Sequence, residues 1–303
     1  MDYFIQLLGT QAVIFIYILV GMYTRKKAII TRDNQQQIID LVLKILMPCM
    51  IFSSYDQKLT VDVMKKAAII IVIAFCICFA AVILGKVLYY KYPYEKGSIM
   101  KYGTIVNNSG FAGLPMCNEI FGEIGLFYAS FFLIPNRIFM WTAGISLFER
   151  TDTKSKLKNV LLNPNIIAVE LGLLFSAFSI KLPDFLSASI KHMGATVSPI
   201  SMILVGAILA DVDFKTIMDK SVFYMASIRL ILLPLLTLGI VNLFQLDSTI
   251  GGVALVLTSM PVGTTTALLA VKYKADVEFA SKCVFVTTML SLITVPIFMM
   301  LVH

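Results

Sequence analysis

Two short polar stretches, each with glycine and one proline, interrupt apolar segments of this 303-residue chain and offer the donors and acceptors that a small charged guest needs. The first runs Tyr102-Gly-Thr-Ile-Val-Asn-Asn-Ser-Gly-Phe-Ala-Gly-Leu-Pro115-Met-Cys-Asn118, the second Thr258-Ser-Met-Pro261-Val-Gly-Thr-Thr-Thr266. Proline removes a backbone donor and blocks the preceding turn, and glycine weakens helix further. Within a bilayer such breaks survive only where the freed backbone groups face protein or a watery cavity. A matched pair of broken helices therefore points to a transporter's substrate site. Half-helices restarting after each break would aim backbone N–H groups at an anion. Asn107, Asn108, Ser109, Gly110 and Pro115 on one side, and Ser259, Pro261, Thr264 and Thr265 on the other, are the candidate substrate residues. Asn118 would face the same cavity, with Thr258 and Thr266 as further donors. The competing reading is that these side chains only satisfy the freed backbone groups.

Charges inside apolar segments cost at least ~2.5–3.5 kcal/mol each at mid-membrane and call for reasons. Lys44, Arg137 and Arg229 stand against Glu170, with Glu119 near a segment end, a balance that favours an anionic guest. Arg137 is the preferred counter-charge, because a guanidinium fork matches two carboxylate oxygens. Lys44 follows Asp40 by four residues and also fits an intrahelical ion pair. Arg229 lies within reach of a membrane edge and also fits a snorkelling side chain. The fifth and last apolar segments lack the adjacent aspartates that cation antiport would need. The last carries Thr287, Thr288, Ser291 and Thr294. Those at 287, 291 and 294 share one helical face, which suits either a sodium site or tight packing. Coupling to sodium, to protons or to neither stays open; no cofactor is expected.

The elements that must hold these residues are membrane helices. The chain is 58% apolar with a mean hydropathy of +0.87, beyond the range of soluble domains. Ten spans are read near 4–24, 37–56, 64–90, 98–120, 124–148, 159–180, 187–210, 220–245, 248–271 and 277–302. Connections after odd-numbered spans carry 17 Lys and Arg residues, those after even-numbered spans only 5. By the positive-inside rule both termini are then non-cytoplasmic. The net charge of +7 is thus a topology signal, not a nucleic-acid footprint. The first basic cluster follows the first apolar run, which reads as a retained span rather than a cleaved leader. All five cysteines fall inside spans, against a disulfide framework or a metal site.

The hydrophilic connection from Glu149 to Asn159 divides the chain into a five-span repeat over 1–150 and a second over 151–303. An odd number of spans per repeat means inverted insertion. Pro48 and Pro199, and Pro115 and Pro261, mark corresponding places in the two halves.

The stretch Asn107-Asn-Ser-Gly-Phe-Ala-Gly-Leu-Pro-Met116 resembles the Asn-x-Gly-Phe-x-Gly-x-Pro-Leu signature of the auxin efflux carrier family, with Met116 in place of the usual leucine. That family includes plant PIN-type carriers and bacterial malate or malonate permease-like proteins. Asn136 with Thr142-Ala-Gly144 fits the same pattern, as do Met260-Pro-Val through Asp276 and Thr287-Thr-Met-Leu-Ser through Pro296. The resemblance implies an all-α, ten-helix fold related to bile-acid symporters and sodium/proton antiporters. In it, scaffold helices over 4–56 and 159–210 would flank a transport domain over 64–148 and 220–302. Spans four and nine would cross at its centre, with Asn136 and Arg137 beside the crossing. It also implies small organic anions as cargo and dimers formed through the scaffold.

The reading is a multi-pass transporter of a small organic anion in the cell membrane, malate-like, malonate-like or auxin-like, working by alternating access. The competing classes are an anion channel and a non-transporting membrane sensor. An enzyme is not expected: neither a Walker-type phosphate loop nor a His-Glu-x-x-His or serine/histidine arrangement occurs in the spans.

Overall fold

The computed structural model describes residues 2–55, 60–148, 161–211, 218–273 and 275–301. The expected linker between repeats, together with Lys58, Lys215, Lys274 and His303, lies outside them. The described residues form α1 (Asp2–Lys26), α2 (Arg32–Ser53), α3 (Val61–Leu88), α4 (Tyr94–Ile105) and α5 (Ser109–Gly144). After the linker come α6 (Pro164–Ala177), α7 (Asp184–Leu209, interrupted at Thr196), α8 (Lys220–Leu243), α9 (Ser248–Thr258), α10 (Thr265–Lys272) and α11 (Val277–Met300).

Polar residues set the starts of these helices. Thr31 caps α2 in a reciprocal box with Asn34, Thr60 caps α3, and Asp276 caps α11. Such caps satisfy N–H groups that the first turn leaves free. Asp219 caps α8 and pairs with Lys96 of α4 at 3.0 Å. Burial pulls its carboxyl upward, but the Ser221 N–H and the Lys96 ammonium outweigh that and hold it below the usual range.

Six described helices are long and apolar enough to cross a bilayer: α2, α3, α5, α7, α8 and α11. The protein is therefore a helical, multi-pass membrane protein. The sequence led to an expectation of ten spans, and local causes keep spans four, six and nine from being met by single long helices. α5 is two helices, the first of which holds the second half of span four; they meet at a kink at Gly122 (φ 66°, ψ −160°), which falls between predicted spans four and five. That left-handed backbone suits glycine and strains other residues. α4 and the start of α5, like α9 and α10, are pieces of predicted spans four and nine. α6 has 14 residues, about 21 Å of helix against a hydrocarbon core of about 30 Å.

Three prolines explain three of the irregular turns. Pro48, Pro115 and Pro234 are each preceded by a π-helical turn, Val42–Leu46, Ser109–Gly113 and Ile228–Leu232. In each, the residue before the proline donates five residues back, as Leu233 does to the Ile228 carbonyl. Proline cannot donate to the carbonyl four residues earlier and its ring crowds that carbonyl, so the turn widens. Lys44 and Arg229 both sit on such turns.

α1 packs along the second part of α7, and the end of α2 packs against α6 and the first part of α7. A Cβ on Gly21 would overlap the Ile203 carbonyl, and one on Gly206 the Ile18 carbonyl, so small residues set that close approach. α3, α5, α8, α9 and α11 form a second set of neighbours, with α9 enclosed between α3, α5, α8 and α11.

Candidate functional site

The two interrupted stretches meet. Asn107 and Val262 form an isolated antiparallel bridge. The Asn108 N–H donates to the Pro261 carbonyl at 2.8 Å, and the Gly263 N–H to the Val106 carbonyl at 3.1 Å. Residues freed from helix by proline and glycine thus satisfy one another across the gap, as buried backbone must. Thr287 of α11 braces the junction by accepting from the Val262 N–H at 3.1 Å. At this crossing the C-terminal ends of α4 and α9 converge, and α5 and α10 begin.

Asn107 is the hub. Its Nδ2 donates to the Leu257 carbonyl of α9 at 2.6 Å, while its Oδ1 accepts from Asn136 Nδ2 at 3.2 Å and from the Ser109 N–H at 3.3 Å. The Ser109 hydroxyl also lies against that oxygen. Arg229 of α8, only 2% exposed, completes the C-terminal side. Its Nε donates to the Met260 carbonyl at 3.0 Å, Nη1 to Thr104 at 3.0 Å and Nη2 to Thr258 at 2.6 Å. Snorkelling is therefore ruled out for Arg229; its charge is consumed inside the protein.

On the other side lies a cavity of about 220 Å³. Asn107, Asn108, Gly110, Arg137, Thr264 and Thr265 line it, so six of the residues picked from sequence share one space. Both restarting helices face it: Gly110 and Phe111 belong to the first turn of α5, and Gly263, Thr264 and Thr265 lead into α10. Arg137 contacts the Met140 sulfur at 3.2 Å, and its Nε is buried without a hydrogen-bond partner. Its Nη2 would come within 3.0 Å of a Cβ placed on Gly110, so glycine lets the guanidinium approach the α5 backbone. No ion pair among the described residues includes Arg137. Lys44 also lines the cavity, but it pairs with Asp40 at 2.7 Å and both side chains are well exposed.

The remaining sequence candidates lie elsewhere. Ser109, Pro115, Asn136 and Ser259 are buried around the crossing without lining the cavity, and Asn118 is half-buried about one turn beyond Pro115. Pro261 and Asn108 border a second cavity of about 20 Å³ between the crossing, α1 and α7. Among the span-ten hydroxyls, Thr287 donates to Cys283, Thr288 to Val284 and Ser291 to Thr288, all at 2.7 Å.

Sequence reasoning missed three polar side chains of the larger cavity. Trp141 presents a buried Nε1 without a partner, and Asn165 a buried Oδ1 without one. Asn163 caps α6 through the Asn165 N–H at 3.0 Å. The available signals were the chain's single tryptophan and the Asn163-Pro-Asn165 run, which read as an interfacial aromatic and a helix cap.

The comparisons with known proteins agree in kind. The family described as "Membrane transport protein" matches residues 7–160 and 153–299, stretches that meet at the expected linker. An uncharacterized transporter of Methanocaldococcus jannaschii is 26% identical over 296 residues, covering 93% of this chain and 94% of its own. Another, from Methanothermobacter thermautotrophicus, is 23% identical over 297 residues, covering 94% of each. The chain belongs to the auxin efflux carrier-like family of membrane transport proteins.

Proposed function

We propose that this protein is a secondary transporter of a small organic anion, a carboxylate of malate, malonate or auxin type, which it binds beside Arg137. The observation that carries the reading is the cavity next to the crossing, where the half-buried Arg137, its Nε buried without a hydrogen-bond partner and its charge without a carboxylate, meets two helix starts. Each helix N-terminus contributes roughly half a positive unit, so together with Arg137 the space holds about two positive units awaiting an anion. Trp141 Nε1 adds a neutral donor.

Alternating access accounts for the unequal cavities. By the positive-inside reading, Arg137, Trp141, Asn163 and the start of α10 lie on the cytoplasmic side, where the space is about 220 Å³. The opposite space, toward Met116 and Thr288, is about 20 Å³. Asn108 borders both, as a residue at the site of a rocking carrier would. The arrangement then corresponds to the inward-facing state, with ten passages in two inverted repeats. The two sets of helix neighbours support a scaffold (4–56, 159–210) and a moving body (64–148, 220–302). Dimerisation through the scaffold, residence in the cell membrane and non-cytoplasmic termini belong to the same reading.

The test is counterflow in proteoliposomes. Unlabelled malate or malonate inside should accelerate entry of the labelled acid; conductance without such exchange would mean a channel.

A further inference from the structure

Arg229 is a buried charge that anion binding at Arg137 does not use. Its three hydrogen bonds end on carbonyls of Thr104, Thr258 and Met260, at the C-terminal ends of α4 and α9. Each helix C-terminus carries roughly half a negative unit, so the converging pair presents about one, which one guanidinium balances. No ion pair among the described residues includes Arg229, so its compensation is this backbone cluster. Carbonyls of unwound backbone at a helix break are the ligands a hard monovalent cation takes in transporters. Here those oxygens already hold a donor. Three of the α11 hydroxyls are also engaged, Thr287 with the Val262 N–H and the Cys283 carbonyl, Thr288 and Ser291 with carbonyls of their own helix, while Thr294 Oγ1 is buried without a partner.

We infer that Arg229 is a built-in cation of the crossing, joining the two helix C-termini where a bound metal ion would otherwise be needed, so that the crossing assembles without sodium. Its position follows from the π turn Ile228–Leu232 ahead of Pro234, which carries the guanidinium. The inference goes beyond the proposed anion site and does not depend on which anion binds.

The test reads melting temperature of the purified, detergent-solubilised protein at constant ionic strength, without any carboxylate. Wild type should melt at the same temperature in sodium chloride and in choline chloride. Arg229→Ala should melt well below wild type and recover part of the loss when sodium or methylguanidinium is supplied, whereas Arg229→Lys should retain most of the stability. A rise of several degrees for wild type in sodium over choline would overturn the inference. So would an alanine variant that melts like wild type, or one that melts low and responds to neither cation. Should the alanine variant not accumulate, the wild-type comparison decides alone.

Discussion

Two arginines flank one crossing and are treated in opposite ways. Arg229 reaches three carbonyls at 2.6–3.0 Å, while Arg137 contacts a thioether and keeps a buried Nε unpartnered beside a cavity of about 220 Å³. A buried charge is costly unless its hydrogen bonds are met. The protein meets that cost for Arg229 from its own backbone, at helix C-termini. It leaves Arg137 short, on the side where the restarting helices add positive potential. Hydrogen-bond satisfaction and burial, rather than residue type, separate the cation that holds the crossing from the one proposed to meet a guest.

The contrast breaks most visibly at Arg229. Arg229→Ala leaves three buried carbonyls with one donor fewer each, and should cost roughly 3–5 kcal/mol, the range for removing one partner of a buried charged cluster; reduced melting temperature and a smaller folded fraction by size exclusion would report it. Next comes Arg137→Ala, which removes a charge the protein does not itself use. Carboxylate uptake should fall about tenfold or more, equivalent to at least ~1.4 kcal/mol of binding, with little change in melting temperature. Equal loss of stability in both variants would erase the distinction. Thr287→Val tests the brace: it orphans the Val262 N–H and should destabilise by about 1–3 kcal/mol, read by thermal melting. The smallest effect belongs to Lys44→Met, which removes an exposed pair worth roughly 0.3–0.5 kcal/mol; a large transport defect there would make Lys44 a second anion ligand instead.

What the sequence discloses follows the range of the forces involved. The breaks at Asn107 and Pro261 are legible because proline and glycine act on their own turn, whatever surrounds them. Polar helix caps such as Asp219 and Asp247 are local in the same way. The union of the two breaks is not local: Asn108 and Pro261 are far apart in the chain and meet through folding. Arg229 and Arg137 look alike in sequence, each a cation in an apolar run, and only the position of carbonyls from other helices tells them apart. Asn107, read as a substrate donor, lines the cavity yet commits its amide to Leu257, Ser109 and Asn136. Trp141 and Asn165 gave only weak signals, because an indole near a span end and an asparagine beside a cap each have a commoner explanation. The place where predicted spans four and five part is the kink at Gly122, a turn that no proline announces.

The most direct measurement is a thermal-shift screen of malate, malonate, succinate and an indole carboxylate on wild type and Arg137→Ala in parallel. At least one carboxylate should raise the wild-type melting temperature and leave the variant unmoved. Equal shifts in both proteins, or protection by cations or sugars and by no carboxylate, would contradict an anion site at Arg137.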